Sequence, residues 1–105
     1  MSRSQGEVDR ENLLVLVAVQ AALGLIGPTI KSVALELSNL NEVKLQVWAT
    51  ENLDEVNEDA IDMVGDMEAL LWPDVPSIDA QILDTDPKKT TTNWIGRYIY
   101  AAKVY

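Results

Sequence analysis

From Leu13 to Ile26 the chain reads LLVLVAVQAALGLI, apolar throughout except for Gln20. A run of this length is shorter than the ~20 residues needed to cross a bilayer core and has the size of a buried helix or of a signal-peptide core. A signal peptide opens on basic residues, whereas Arg3 and Arg10 are here outnumbered by Glu7, Asp9 and Glu11. Those acids suit the positive end of a helix dipole, so the pattern predicts a helix over about 9–25, stopped by Gly27-Pro28 and buried on more than one side.

Two runs of period two follow, Ile30–Leu37 and Val43–Ala49, separated by Ser38-Asn39-Leu40-Asn41. Alternation sets Val33, Leu35 and Leu37 on one face and Val43, Leu45 and Val47 on the matching face of a partner strand, as a β-hairpin requires. Trp48 then shares the opposite face with Lys44, Gln46, Ser32 and Glu36. From about 53 to 72 the period becomes helical, with Val56, Ala60, Met63, Val64, Met67, Leu70 and Leu71 in one stripe. Asn52 or Asp54 is the candidate N-cap, and Trp72-Pro73 is the stop. Ile78–Leu83 reads as a short strand, 84–93 as a polar loop and Trp94–Val104 as a last strand. In that strand Gly96, Tyr98, Tyr100, Ala102 and Val104 are expected to face the core, opposite Arg97 and Lys103.

The predicted order is αββαββ: a single α+β domain over 1–105, with a four-stranded antiparallel sheet and two helices packed on one face. Its expected core holds Val33, Leu35, Leu37, Val43, Leu45, Val47, Val64, Met67 and Tyr100.

Composition narrows the chemistry. There is no His and no Cys, which removes Ser-His-Asp and Cys-His nucleophile systems and the usual zinc ligands. Carboxylate pairs remain, but no nucleophile elbow, P-loop or Gly-rich phosphate loop accompanies them. The expectation is therefore a protein that is not an enzyme, with no catalytic residues, cofactor or metal site.

Charge adds more. The net charge is −9, and from Glu51 to Asp86 there are twelve acids and no base, so that third of the chain carries −12 and the rest +3. Such a balance disfavours direct nucleic-acid binding, which depends on Lys and Arg, and favours a basic partner steered by a one-sign field. On the second helix Glu55, Asp59, Asp62 and Asp66 recur at spacings of four, three and four, with Asp54 and Glu58 beside them. An EF-hand would need alternating ligands and a central Gly, which this stretch lacks. The row reads either as a solvated surface or as the contact for a basic protein. Trp48 reads as an interface anchor or as a lid over a small core, and Trp72 as structural.

Several short stretches resemble small bacterial immunity proteins found with contact-dependent growth inhibition and related polymorphic toxins. They are Ala21-Ala22-Leu23-Gly24 with Pro28 and Lys31-Ser32-Val33-Ala34-Leu35-Glu36; Asn57-Glu58-Asp59 at the opening of an acidic helix; Glu68 through Trp72-Pro73; and Leu83-Asp84 followed by Gly96-Arg97-Tyr98-Ile99-Tyr100. The resemblance implies a cytoplasmic protein that binds one cognate toxin domain and blocks it without chemistry. Asp54, Glu55, Glu58, Asp59, Asp62, Asp66 and Trp48 are the expected partner-binding residues. The alternative is a non-enzymatic adaptor or homo-oligomer with the apolar first helix as its seam; neither reading involves a membrane.

Overall fold

Ser4 opens the first helix. In the computed structural model, which describes residues 3–24, 27–51, 54–90 and 92–101, its hydroxyl accepts from the Glu7 amide at 3.2 Å. The Glu7 carboxylate in turn accepts from the Ser4 amide at 3.1 Å. This reciprocal pair is the capping box that Ser-x-x-Glu encodes, and it starts helix α1 at Gln5, not at the expected residue 9. The contact with the Ser4 backbone, reinforced by its hydroxyl, holds the Glu7 carboxyl below its ordinary range. Helix α1 runs Gln5–Ala22 and ends short of residue 25, because Gly24 adopts φ 82° and turns the chain away. Leu25 and Ile26 lie outside the described residues.

Strands β1 (Ile30–Glu36) and β2 (Glu42–Ala49) form the expected antiparallel hairpin, with Val33 opposite Val47 and Leu35 opposite Leu45. The Asn39 side chain braces the turn by accepting from the Asn41 amide at 2.9 Å. Near the start of β1 the register passes from Ile30↔Ala49 to Ser32↔Trp48. Lys31 is thus an extra residue, a bulge.

Helix α2 (Asp54–Leu71) buries Val56, Ala60, Met63, Met67 and Leu71, and Trp72-Pro73 ends it as expected. The candidate cap Asn52 lies outside the described residues. At 1.5 Å per residue an 18-residue helix is about 27 Å long, enough to carry the chain back along the whole of β2. The next strand, β3 (Ser77–Leu83), therefore starts at the same end as β2 and runs parallel to it, Val43 beside Ile78 and Val47 beside Ile82. This corrects the expectation of an all-antiparallel sheet: the sheet is mixed, and β2–α2–β3 is a crossover unit.

Strand β4 (Gly96–Ala101) joins the far edge, antiparallel to β1, which makes the strand order β3-β2-β1-β4. It begins two residues after the expected Trp94, and Ala102, Lys103 and Val104 lie outside the described residues. A second bulge corrects the predicted facing of this strand. Tyr100 pairs with Val33 but Tyr98 with Ala34, so Ile99 is the extra residue. Tyr98 consequently points away from the helices, while Ile99 and Tyr100 both pack on the core. Arg97, expected outside, sits beside Leu35 and reaches Glu11 of α1 at 3.7 Å.

The core lies between the sheet and the two helices. Val33, Leu35, Leu37, Val43, Leu45, Val47 and Met67 are buried as expected, joined by Leu14, Val17, Ala18 and Met63. Val64 and Tyr100 are half-buried at its margin. Helix α1 corrects a further expectation, since it is buried along one side only: Leu16 is 65% and Leu23 68% exposed.

Because β3 and β4 occupy opposite edges, the chain between them must cross the sheet, and residues 84–90 and 92–95 do so on the face away from the helices. The crossing includes a short 3-10 turn, Pro87–Lys89, capped by Asp86. Beneath it Ser32, Ala34 and Gln46 are buried, as is Pro87 of the turn itself, so the sheet face expected to be open is partly roofed.

Candidate partner-binding surface

The buried stripe of α2 recurs every three or four residues, so the side chains between its members point outward. Asp54, Glu55, Glu58, Asp62 and Asp66 are exposed, and Asp59 is half-buried at the edge of the same row. The six expected acids therefore share one helix surface. Among the described residues none of them forms an ion pair. The ion pairs found are Arg3–Glu11 at 3.5 Å, Arg97–Glu11 at 3.7 Å and Arg10–Asp74 at 3.6 Å. They tie the arginines to Glu11 within α1 and to Asp74, just past the end of α2, and not to the acidic row. Among the described residues no group of three carboxylates comes together as a cation site, which agrees with acids standing along a convex helix. Nor is any described helix long and apolar enough to cross a membrane.

Trp48 is not part of this surface. It alternates with the buried Val47 and Ala49, so it lies on the opposite side of the sheet from α2. There it is half-buried, with the Lys31 ammonium 5.2 Å from its ring centre and Tyr98, Asp86 and Lys88 around it.

Trp72, expected to be structural, is 78% exposed. It projects from the end of α2 beside Ala69 and Val75, with Glu68 at the rim. The stripe itself carried the signal. Leu71 continues the buried sequence 56, 60, 63, 67, so the next residue is rotated about 100° out of the core. An exposed indole next to unpaired acids is the type of residue that anchors protein interfaces.

The roofed face is held by a chain of polar and aromatic contacts. The Trp94 indole N–H donates to Gln46 at 2.9 Å, and the Gln46 amide donates to Gln81 at 3.1 Å. Trp94 leans on Tyr98 with ring centres 5.4 Å apart, Lys88 stands 5.3 Å over Tyr98, and the Tyr98 hydroxyl donates to Asp86. That last contact holds the Asp86 carboxyl below its ordinary range. Burial, together with the Asp86 hydrogen bond, pushes Tyr98 from 10.0 up to about 12. Between those values the unfolded chain releases the proton and the folded chain keeps it. The stability from this contact is thus complete below pH 10 and is lost as pH rises through 12. An ultraviolet titration should show a tyrosinate component near 12 that disappears in Tyr98→Phe. A variant that instead loses a component at the ordinary value would show that the hydroxyl is not engaged.

The lysines follow this geometry. Lys31 and Lys88 cover aromatic rings on the roofed side, and Lys44 lies in the groove with Glu36, Gln46 and Trp94. Among the described residues, fold and charge together leave the α2 ridge without an ion pair: Lys31, Lys44 and Lys88 lie on the other side of the sheet, and the three arginines pair with Glu11 and Asp74. No protein-family model matches this chain, nor does any curated protein or solved structure compared with it.

Proposed function

We propose that this chain is an immunity-type inhibitor that uses the α2 ridge to bind a basic, nuclease-type toxin domain and occlude its active site. One observation carries the reading: six carboxylates on one helix surface, none of them ion-paired among the described residues. Like charges at i,i+4 cost a helix a few tenths of a kcal/mol each, so the row weakens local helix stability while it strengthens an external field. A nuclease cleft is basic because it must hold phosphates, and an acidic helix presents carboxylates in their place. Steering by such a field supports the rapid association that protection from a toxin demands. Trp72 supplies a hydrophobic anchor at the ridge's end. No chemistry by this chain is required, and the partner is held by complementarity alone.

The test is to ask whether a neighbouring reading frame encodes a basic, toxic C-terminal domain, to co-express that domain with the chain, and to measure growth and binding kinetics. The expected result is rescue of growth with an association rate that falls steeply as salt is raised, since screening shortens the reach of the field to ~10 Å at 0.1 M. Absence of a complex, or association indifferent to salt, would remove the proposal.

A further inference from the structure

We infer that two copies of this chain pair antiparallel through α1, crossing at Leu16. The inference stands apart from the toxin-binding reading, because it uses a different helix and the opposite kind of force. Helix α1 buries Leu14, Val17, Ala18, Ala21 and Ala22 against its own fold, yet its outer side is also apolar. Leu13 is 45%, Leu16 65%, Val19 38% and Leu23 68% exposed, with Asn12 and Gln20 exposed among them. On a chain of net charge −9, residues 12–23 contain no ionisable side chain. A second copy would be repelled by the acidic ridge of α2 but meets no like charge along this stripe.

The arrangement of residue types selects a second copy. Around Leu16 it is palindromic: Leu13 and Val19 stand three residues to either side, and Asn12 and Gln20 four residues to either side. When two identical helices cross antiparallel about a two-fold axis at residue 16, each position 16 + k stands level with 16 − k of the partner. Leu16 then meets the partner's Leu16, Leu13 stands level with the partner's Val19, and Asn12 with the partner's Gln20. Between residues 12 and 20 every apolar layer meets an apolar layer, and the amides at each end can satisfy one another. A polar layer of that kind fixes register and orientation in helix pairs. Beyond it Asp9 would stand level with the partner's Leu23, seven residues and about 10 Å from the crossing, where inclined helices have begun to separate. The isologous geometry closes after two copies.

Sedimentation equilibrium tests the pairing directly. The wild-type chain should move with rising concentration from 11.6 kDa towards twice that mass, and added salt should favour the dimer by screening the acids. Leu16→Lys, at an exposed position, should keep the far-ultraviolet dichroism of the fold and weaken pairing by about tenfold or more. Because the chain has no cysteine, Leu16→Cys puts one thiol in each copy at the two-fold axis. It should oxidise to a covalent dimer much faster than Leu23→Cys, whose level in the partner holds Asp9. A wild-type chain that stays at the monomer mass, a Leu16→Lys variant that still dimerises, or equal cross-linking at Leu16→Cys and Leu23→Cys would each overturn the inference.

Discussion

Reversing two charges on the ridge, Asp62→Lys with Asp66→Lys, is expected to slow association with a basic toxin domain by roughly 10- to 100-fold at low salt, within the range attributed to electrostatic steering. Both side chains are exposed and, among the described residues, neither is ion-paired, so the fold loses no internal partner. The lysine at position 62 falls four residues from Glu58 and three from Asp59, the pattern that stabilises helices, while the lysine at position 66 only replaces one like-charge pair by another, so the variant should unfold close to the wild-type temperature. Stopped-flow association across a salt series, beside thermal unfolding, separates the two effects. The wild-type and variant rates should converge as salt rises. If the rates agree at low salt, the ridge is a solvated surface, and binding would have to involve Trp72 or the roofed face.

The largest expected effect on stability is at Gly96. A Cβ built there would lie 2.6 Å from the Leu35 carbonyl oxygen of β1 and closer still to the Trp94 indole. One of these neighbours is sheet backbone, and the other is an indole fixed by its bond to Gln46 and its contact with Tyr98. Either β4 moves off β1 or Trp94 is unseated. Overpacking of this kind costs ~1–3 kcal/mol. Loss of the indole bond would also strip a partner from Gln46, which is 4% exposed, at a similar cost. Gly96→Ala should therefore lower Tm by on the order of 10 °C and shift the tryptophan emission. Trp94→Ala combined with Gly96→Ala should cost less than the two changes summed, because removing the indole makes room for the methyl. An unchanged Tm would mean that the crossing segment does not press on β4.

What the sequence determined by itself follows from periodicity. Alternation in 30–37 and 43–49 was enough for the hairpin and for the buried side of each strand, since a slip of one residue would turn Leu35 and Leu45 to solvent. The 3.6-residue stripe of α2 places Met63 and Met67 inside and the acids outside, so the residues of the ridge are legible in the sequence. The Ser4-x-x-Glu7 box and the exposed position of Trp72 are also written in the sequence, the one by capping chemistry and the other by the rotation that follows Leu71. Tertiary structure decided the rest. Periodicity states which face of an element is apolar but says little about which neighbour covers it or in which direction the neighbour runs. The parallel sense of β3 depends on the length of α2 relative to β2. The roof over Trp48 exists because β3 and β4 fall on opposite edges, which obliges the chain between them to cross. The split facing of Tyr98 and Tyr100 arises from one extra residue at Ile99, which a strict period of two cannot express. The isolation of the acidic ridge is decided in the same way. Arg3, Arg10 and Arg97 are drawn to Glu11 and Asp74, and Lys31 and Lys88 to aromatic rings, by contacts between residues far apart in the chain.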